Sequence, residues 1–202
     1  YHIPDGVDLE VGGTVEDQGD AFGDLGVLFI LIVILVYIVM ATQFESLKFP
    51  FIIMFTIPFA FTGVFLALWM TSTPLSLIAL IGAIMLVGIV TKNGIVMVDY
   101  MNLLVERGSG VFDAVIAGGK SRLRPVLMTS FTTILGMLPL AIGTGAGSET
   151  WQPMGIAVIG GLTFSTILTL FIVPVLYSIL VNRSQLSLIH ISEPTRQEPI
   201  SY

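Results

Sequence analysis

The sequence predicts an all-α membrane fold: about five transmembrane helices, one amphipathic helix on the cytoplasmic side, and a short extramembrane segment at the N-terminus. Three observations carry this expectation. The 202 residues are 54% hydrophobic and only 11% charged, where a soluble domain carries about 25% charged residues. The apolar residues gather into uncharged runs long enough to cross a bilayer. The basic residues fall on one side once five spans are counted. A soluble fold of this size cannot hide so much apolar surface, so lipid is the expected solvent. The net charge of −6 comes from acids clustered at the two chain ends. There is no broad basic surface to neutralise phosphates, and nucleic acid is not an expected partner. The absence of cysteine excludes disulfides and thiolate metal sites. The opening Tyr1-His2-Ile3-Pro4 has neither an initiator Met nor a basic stretch. It reads as a chain entered in the middle rather than as a signal peptide.

Residues 1–23 are polar and acidic, and Leu9, Val11 and Val15 alternate weakly. That pattern suits a short strand leading into a helix. The first span is expected over 24–43, where Leu25 to Thr42 is uncharged and apolar. At about 1.5 Å per residue it approaches the roughly 30 Å hydrocarbon thickness. The second, 50–70, contains Pro58; the third, 75–104, is interrupted by Lys92, Asn93 and Asp99. The fourth is expected over 124–143, and the fifth over 154–182 with Gly160, Gly161 and Pro174 inside. Neighbouring helices can satisfy the backbone groups that Pro and Gly leave free. Between the third and fourth spans, Val111, Phe112, Val115 and Ile116 recur at helical spacing. This predicts an amphipathic helix over about 109–120 lying along the membrane surface.

Apart from Lys92, the bases preceding the tail are Lys48, Arg107, Lys120, Arg122, Arg124 and Arg183. Five spans put all of them on one side, which is therefore expected to be cytoplasmic. A wrong span count would have scattered them over both. The tail, 184–202, is expected to be non-native. Leu186 to Arg196 reads Leu-Ser-Leu-Ile-His-Ile-Ser-Glu-Pro-Thr-Arg, which matches one frame of a common transposase-type sequencing adapter. His190 and Glu193 accordingly carry no functional weight.

Lys92 is the most informative residue. It sits near the middle of the third span, where a lysine costs roughly 3 kcal/mol on insertion scales. It is expected to face the bundle interior and pair with a carboxylate, either as a structural lock or as part of a proton pathway. Burial disfavours an ammonium and a nearby carboxylate favours it, so such a lysine can respond to a carboxylate's protonation. Asp99 lies seven residues on, about 10 Å along the axis, too far for direct pairing. The partner is expected on another span outside this chain. Thr129, Thr132 and Thr133 could relay hydrogen bonds, although membrane hydroxyls more often bond their own backbone. Arg122 and Arg124 precede Pro125, where the ordinary role of a base is to anchor the helix end. The glycines at 82, 88 and 94, and at 155, 160 and 161, are read as packing positions. No Ser-His-Asp, Cys-His or His-rich metal constellation occurs, nor a GxxxxGK[ST] phosphate loop. No enzyme activity, metal or bound cofactor is expected; energy would come from the proton motive force.

Four stretches, FESLKFPFIIMFTIPFAFTGV, GIVTKNGIVMVDYMN, LRPVLMTSFTTILGMLPLAIGTGAG and FIVPVLYSIL, resemble the C-terminal membrane half of resistance-nodulation-division transporters, most of all the hydrophobe/amphiphile efflux branch. The resemblance covers roughly residues 5–183. It implies that the five spans are the eighth to twelfth of a twelve-span subunit, and that residues 1–23 end a periplasmic porter region. It implies a homotrimer in the inner membrane that exchanges protons for amphiphilic small molecules, joined to a periplasmic adaptor and an outer-membrane channel. In that family a lysine of the tenth span pairs with two aspartates of the fourth. Lys92 in TKNGI matches that lysine, Thr129 in LMTS the relay threonine, and Arg122 in RLRP the relay arginine, with Asn93 and Asp99 in support. Protonating the aspartates would release Lys92 toward Thr129 and let the helices shift.

Two other readings stand beside this one. A sister transporter could export metal ions, lipids or proteins; a metal exporter would add intramembrane carboxylates or Met/His clusters, which Met128 and Met137 alone do not make. Alternatively, Lys92 locks helices in a structural membrane protein.

Overall fold

The computed structural model describes residues 14–143, 145 and 147–191. Leu9 and Val11 of the strand expected near the N-terminus, and the end of the tail, 192–202, lie outside the described residues, whereas Val15 already belongs to a helix. The described chain is helical throughout, with no strand: α1 (Thr14–Phe44), α2 (Lys48–Met54), α3 (Thr56–Met70), α4 (Leu77–Glu106), α5 (Val111–Ile142) and α6 (Ser148–Ile191). Taking α2 and α3 together, five spans are long and apolar enough to cross a membrane.

The boundaries depart from expectation in four instructive places. The first helix starts at Thr14, eleven residues before the apolar run at Leu25, where the acids Glu16 and Asp17 suit the positive end of a helix dipole. The second span is two helices broken at Phe55. Pro58 has no N–H for the carbonyl of Met54 and its ring crowds that carbonyl. The Thr56 hydroxyl takes up a neighbouring acceptor, donating to Ile53 O at 2.6 Å. The third span begins late because Ser76 caps it, accepting from Ala79 N at 3.2 Å.

The amphipathic stretch is helical but runs into the fourth span without a break, through Pro125. Ala114, Gly118, Val126 and Ser130 are its buried residues, and Arg122 between them is half-buried. Recurring every fourth residue, they form one stripe. That stripe packs as a unit, which holds the helix together across the proline.

α6 is the central element, lying against α3, α4 and α5. Close approach explains its glycines. A Cβ on Gly63 of α3 would lie 2.8 Å from Gly160 O, and one on Gly155 would lie 2.8 Å from Ala141 N. Side chains could not intervene there. Two apolar clusters fill the bundle. One joins α3, α4 and α6 around Val64, Leu86 and Leu162. The other joins α1, α2, α4 and α6 around Met40, Ile53, Met97 and Tyr177. The spans alternate in direction, so Lys48, Arg107, Lys120, Arg122, Arg124 and Arg183 share one end, called the basic end below. Almost nothing of the most apolar part of α1 is buried.

Candidate functional site

Lys92 lies at the midpoint of α4, a 30-residue helix. One face of α4 packs inward through Ala83, Leu86, Val90, Met97 and Met101. The opposite face carries Ile81, Met85, Gly88, Lys92, Asp99 and Leu103, all exposed. No described element covers it. Among the described residues, Lys92 has neither a hydrogen-bond nor an ion-pair partner. An ammonium is thus presented at mid-span on an open face. Asn93 beside it is half-buried.

The neighbouring helix brings Thr129 to the same depth. α4 and α5 are antiparallel and cross closely near the basic end. There a Cβ on Gly118 would meet Met101 Cγ at 2.7 Å, and the Arg122 guanidinium lies 4.7 Å from the centre of the Tyr100 ring. Eight residues back along α4 from Tyr100 stands Lys92; seven forward along α5 from Arg122 stands Thr129. At 1.5 Å per residue these steps are about 12 Å and about 10.5 Å, so the two residues are level. Thr129 is exposed, and seven residues keep it on the helix face of Arg122. Its hydroxyl donates to Val126 O at 3.0 Å, while those of Thr132 and Thr133 donate to Met128 O and Thr129 O. These hydroxyls satisfy their own helix, and their oxygens remain able to accept.

Arg122 sits two turns nearer the basic end. Its Nε is buried with no hydrogen-bond partner, and the face of Tyr100 holds its charge. Asp99 does not join Lys92. It lines a polar cavity of about 290 Å³ at the basic end with Gln43, Glu45, Asn102 and Glu106. Among the described residues no cluster of three or more His, Cys, Asp or Glu is placed to hold a metal.

Several features escape sequence reasoning. Ser130 and Thr166 share a buried hydrogen bond of 2.9 Å between α5 and α6. Tyr177 donates to Asn102 Oδ1 at 2.6 Å and stacks on Phe49. The hydroxyls of Thr91 and Thr169 are buried without partners. Their only trace in the sequence is a hydroxyl inside an apolar run, which is common in membrane helices.

The site is thus a lysine at mid-depth in a bundle of long apolar helices, without a partner among the described residues. Residues 1–181 match the AcrB/AcrD/AcrF family model, and the chain belongs to this family of resistance-nodulation-division transporters, as part of its transmembrane region. It is 39% identical over 180 residues to the swarming motility protein SwrC of Bacillus subtilis, covering 89% of this chain and 17% of that protein. It is 41% identical over 175 residues to the cobalt-zinc-cadmium resistance protein CzcA of Cupriavidus metallidurans, covering 87% of this chain and 16% of CzcA. Over 144 residues it is 46% identical to the multidrug resistance protein MdtC of Erwinia tasmaniensis, covering 70% of this chain and 14% of MdtC. A crystal structure of a heavy metal efflux pump superposes with a TM-score of 0.78 at 31% identity, over 89% of this chain and 18% of that one. The chain therefore spans about a sixth of the length of these relatives. These relatives carry metal-resistance, multidrug-resistance and motility names, and they do not single out the hydrophobe/amphiphile branch.

Proposed function

We propose that this chain supplies the lysine side of the intramembrane proton relay of an efflux transporter. The observation that carries the reading is the position of Lys92: mid-span, level with Thr129, on a face that no described element covers. A charge so placed requires a counter-charge, and the open face leaves room for a span bearing carboxylates. While those carboxylates are ionised they hold the ammonium. Once protonated they release it, and the oxygen of Thr129 at the same depth can accept its hydrogen bond. The α4–α5 pair then repacks. Arg122 fixes a second positive charge toward the basic end, which is the cytoplasmic side. The protein works by moving protons and cargo across the inner membrane rather than by covalent catalysis. The complete transporter is a homotrimer that meets a periplasmic adaptor and an outer-membrane channel, with amphiphilic small molecules as cargo.

The test is Lys92→Met in the full-length transporter carrying this segment, expressed in cells lacking their own exporters. Normal membrane abundance with loss of energised efflux is the expected result. Efflux that persists in the variant removes Lys92 from the relay and leaves the helix-locking role. A second reading, metal cations as cargo, draws support from the likeness to the heavy metal efflux pump. Challenging the same cells with cationic dyes and with divalent metal salts separates the two: the cargo is the class whose tolerance rises with the intact transporter and falls with Lys92→Met.

A further inference from the structure

Arg122 occupies an awkward place. It belongs to the stripe of α5 that packs inward, with buried Gly118 one turn before it and buried Val126 one turn after. A guanidinium presents several N–H donors and needs acceptors for them. Yet its Nε is buried without a hydrogen bond, and it has no carboxylate partner among the described residues. The group that meets the charge is the ring of Tyr100, whose centre lies 4.7 Å from Cζ. That is within the range at which an aromatic face attracts a cation. Tyr100 is half-buried and follows Asp99 on α4. It therefore approaches Arg122 from the helix that carries Lys92, two turns nearer the basic end.

We propose that Tyr100 is a positioning residue of the relay: its ring holds the Arg122 guanidinium in the seam between α4 and α5 at a fixed distance from Lys92 and Thr129. This rests on the relay reading of Arg122. An arginine has a long flexible stem and, at a helix end, extends its charge toward water. The Tyr100 ring opposes that movement. It also couples the helices, because any shift of α4 that follows release of Lys92 moves the ring and changes the hold on Arg122. The useful part of Tyr100 is its π face, since its hydroxyl makes no hydrogen bond among the described residues.

The experiment uses the full-length transporter in energised vesicles. Tyr100 is replaced by Phe and then by phenylalanines with one, two and three ring fluorines, which drain the negative face of the ring with little change in size. The proposal expects Tyr100→Phe to transport like the parent. It expects the rate to fall stepwise, several-fold in total, as fluorines are added at constant protein abundance. A flat series with Arg122 present, or loss of transport already at Tyr100→Phe, overturns the role of Tyr100. Undiminished transport in Arg122→Gln alone overturns the relay reading of Arg122, and this proposal with it.

Discussion

An ammonium in the middle of a span is costly unless something nearby wants it, and at position 92 nothing in the described chain does. That single charge was legible in the sequence, because Lys92 interrupts an apolar run where a base is expensive. Its companions were less so. Thr129 and Arg122 stand in a helix rich in hydroxyls and bases, and residue types alone do not separate relay groups from anchors. The Ser130–Thr166 bond was not legible at all, because its partners lie on different helices and each alone resembles an ordinary membrane hydroxyl. Ser130→Ala leaves Thr166 without that partner and is expected to cost about 1 kcal/mol, read as unfolding of the full-length protein in mixed micelles. Pairing it with Thr166→Val should show a coupling of about 0.6 kcal/mol. Losses that simply add would mean that the hydroxyls do not interact. Tyr177→Phe keeps the stacking on Phe49 but deletes the bond to Asn102. The same measurement should register a loss of about 1 kcal/mol.

Elements are held by close approach as much as by apolar area. The α3–α6 seam is the clearest case: a Cβ on Gly63 meets both Phe164 Cβ at 2.5 Å and Gly160 O at 2.8 Å. Backbone cannot yield as a flexible side chain does, so Gly63→Val is expected to cost more than the 1–3 kcal/mol typical of overpacking. Most folded protein recovered from the membrane should be lost. Gly136 faces open space, and Gly136→Ala should be recovered at parental levels; equal recovery of both variants would contradict the seam. The sequence marked these glycines as packing positions without saying which were in contact. Gly88 was grouped with Gly82 and Gly94, yet only the latter two meet neighbours. The number of spans and their order were readable from hydropathy. The join of the amphipathic stretch to the fourth span was not, because Lys120, Arg122 and Arg124 look like a membrane boundary. Backbone hydrogen bonding does not stop at such a boundary, and a buried stripe from Ala114 to Ser130 carries the helix across it.

The whole molecule shows what the chain leaves uncovered. One face of α4, interrupted by Lys92 and Asp99, and the most apolar part of α1 are uncovered, and lipid or further spans must meet them. The expectation that a carboxylate-bearing span lies outside this chain belongs to this scale. Reading the source gene upstream of Tyr1 should reveal a span with adjacent aspartates at mid-depth; a start codon at Tyr1 would leave Lys92 without its partner. Cargo was not legible in these helices, because Met128 and Met137 alone do not mark a metal exporter and no other residue pattern singles out a substrate class. The most direct test of the central claim is proton movement in vesicles reconstituted with the full-length transporter, followed with a pH-sensitive dye as cargo is added. The account predicts cargo-dependent proton flux in the parent protein and none above background in Lys92→Met. Undiminished cargo-dependent flux in Lys92→Met would contradict it, and would return the lysine to a structural role.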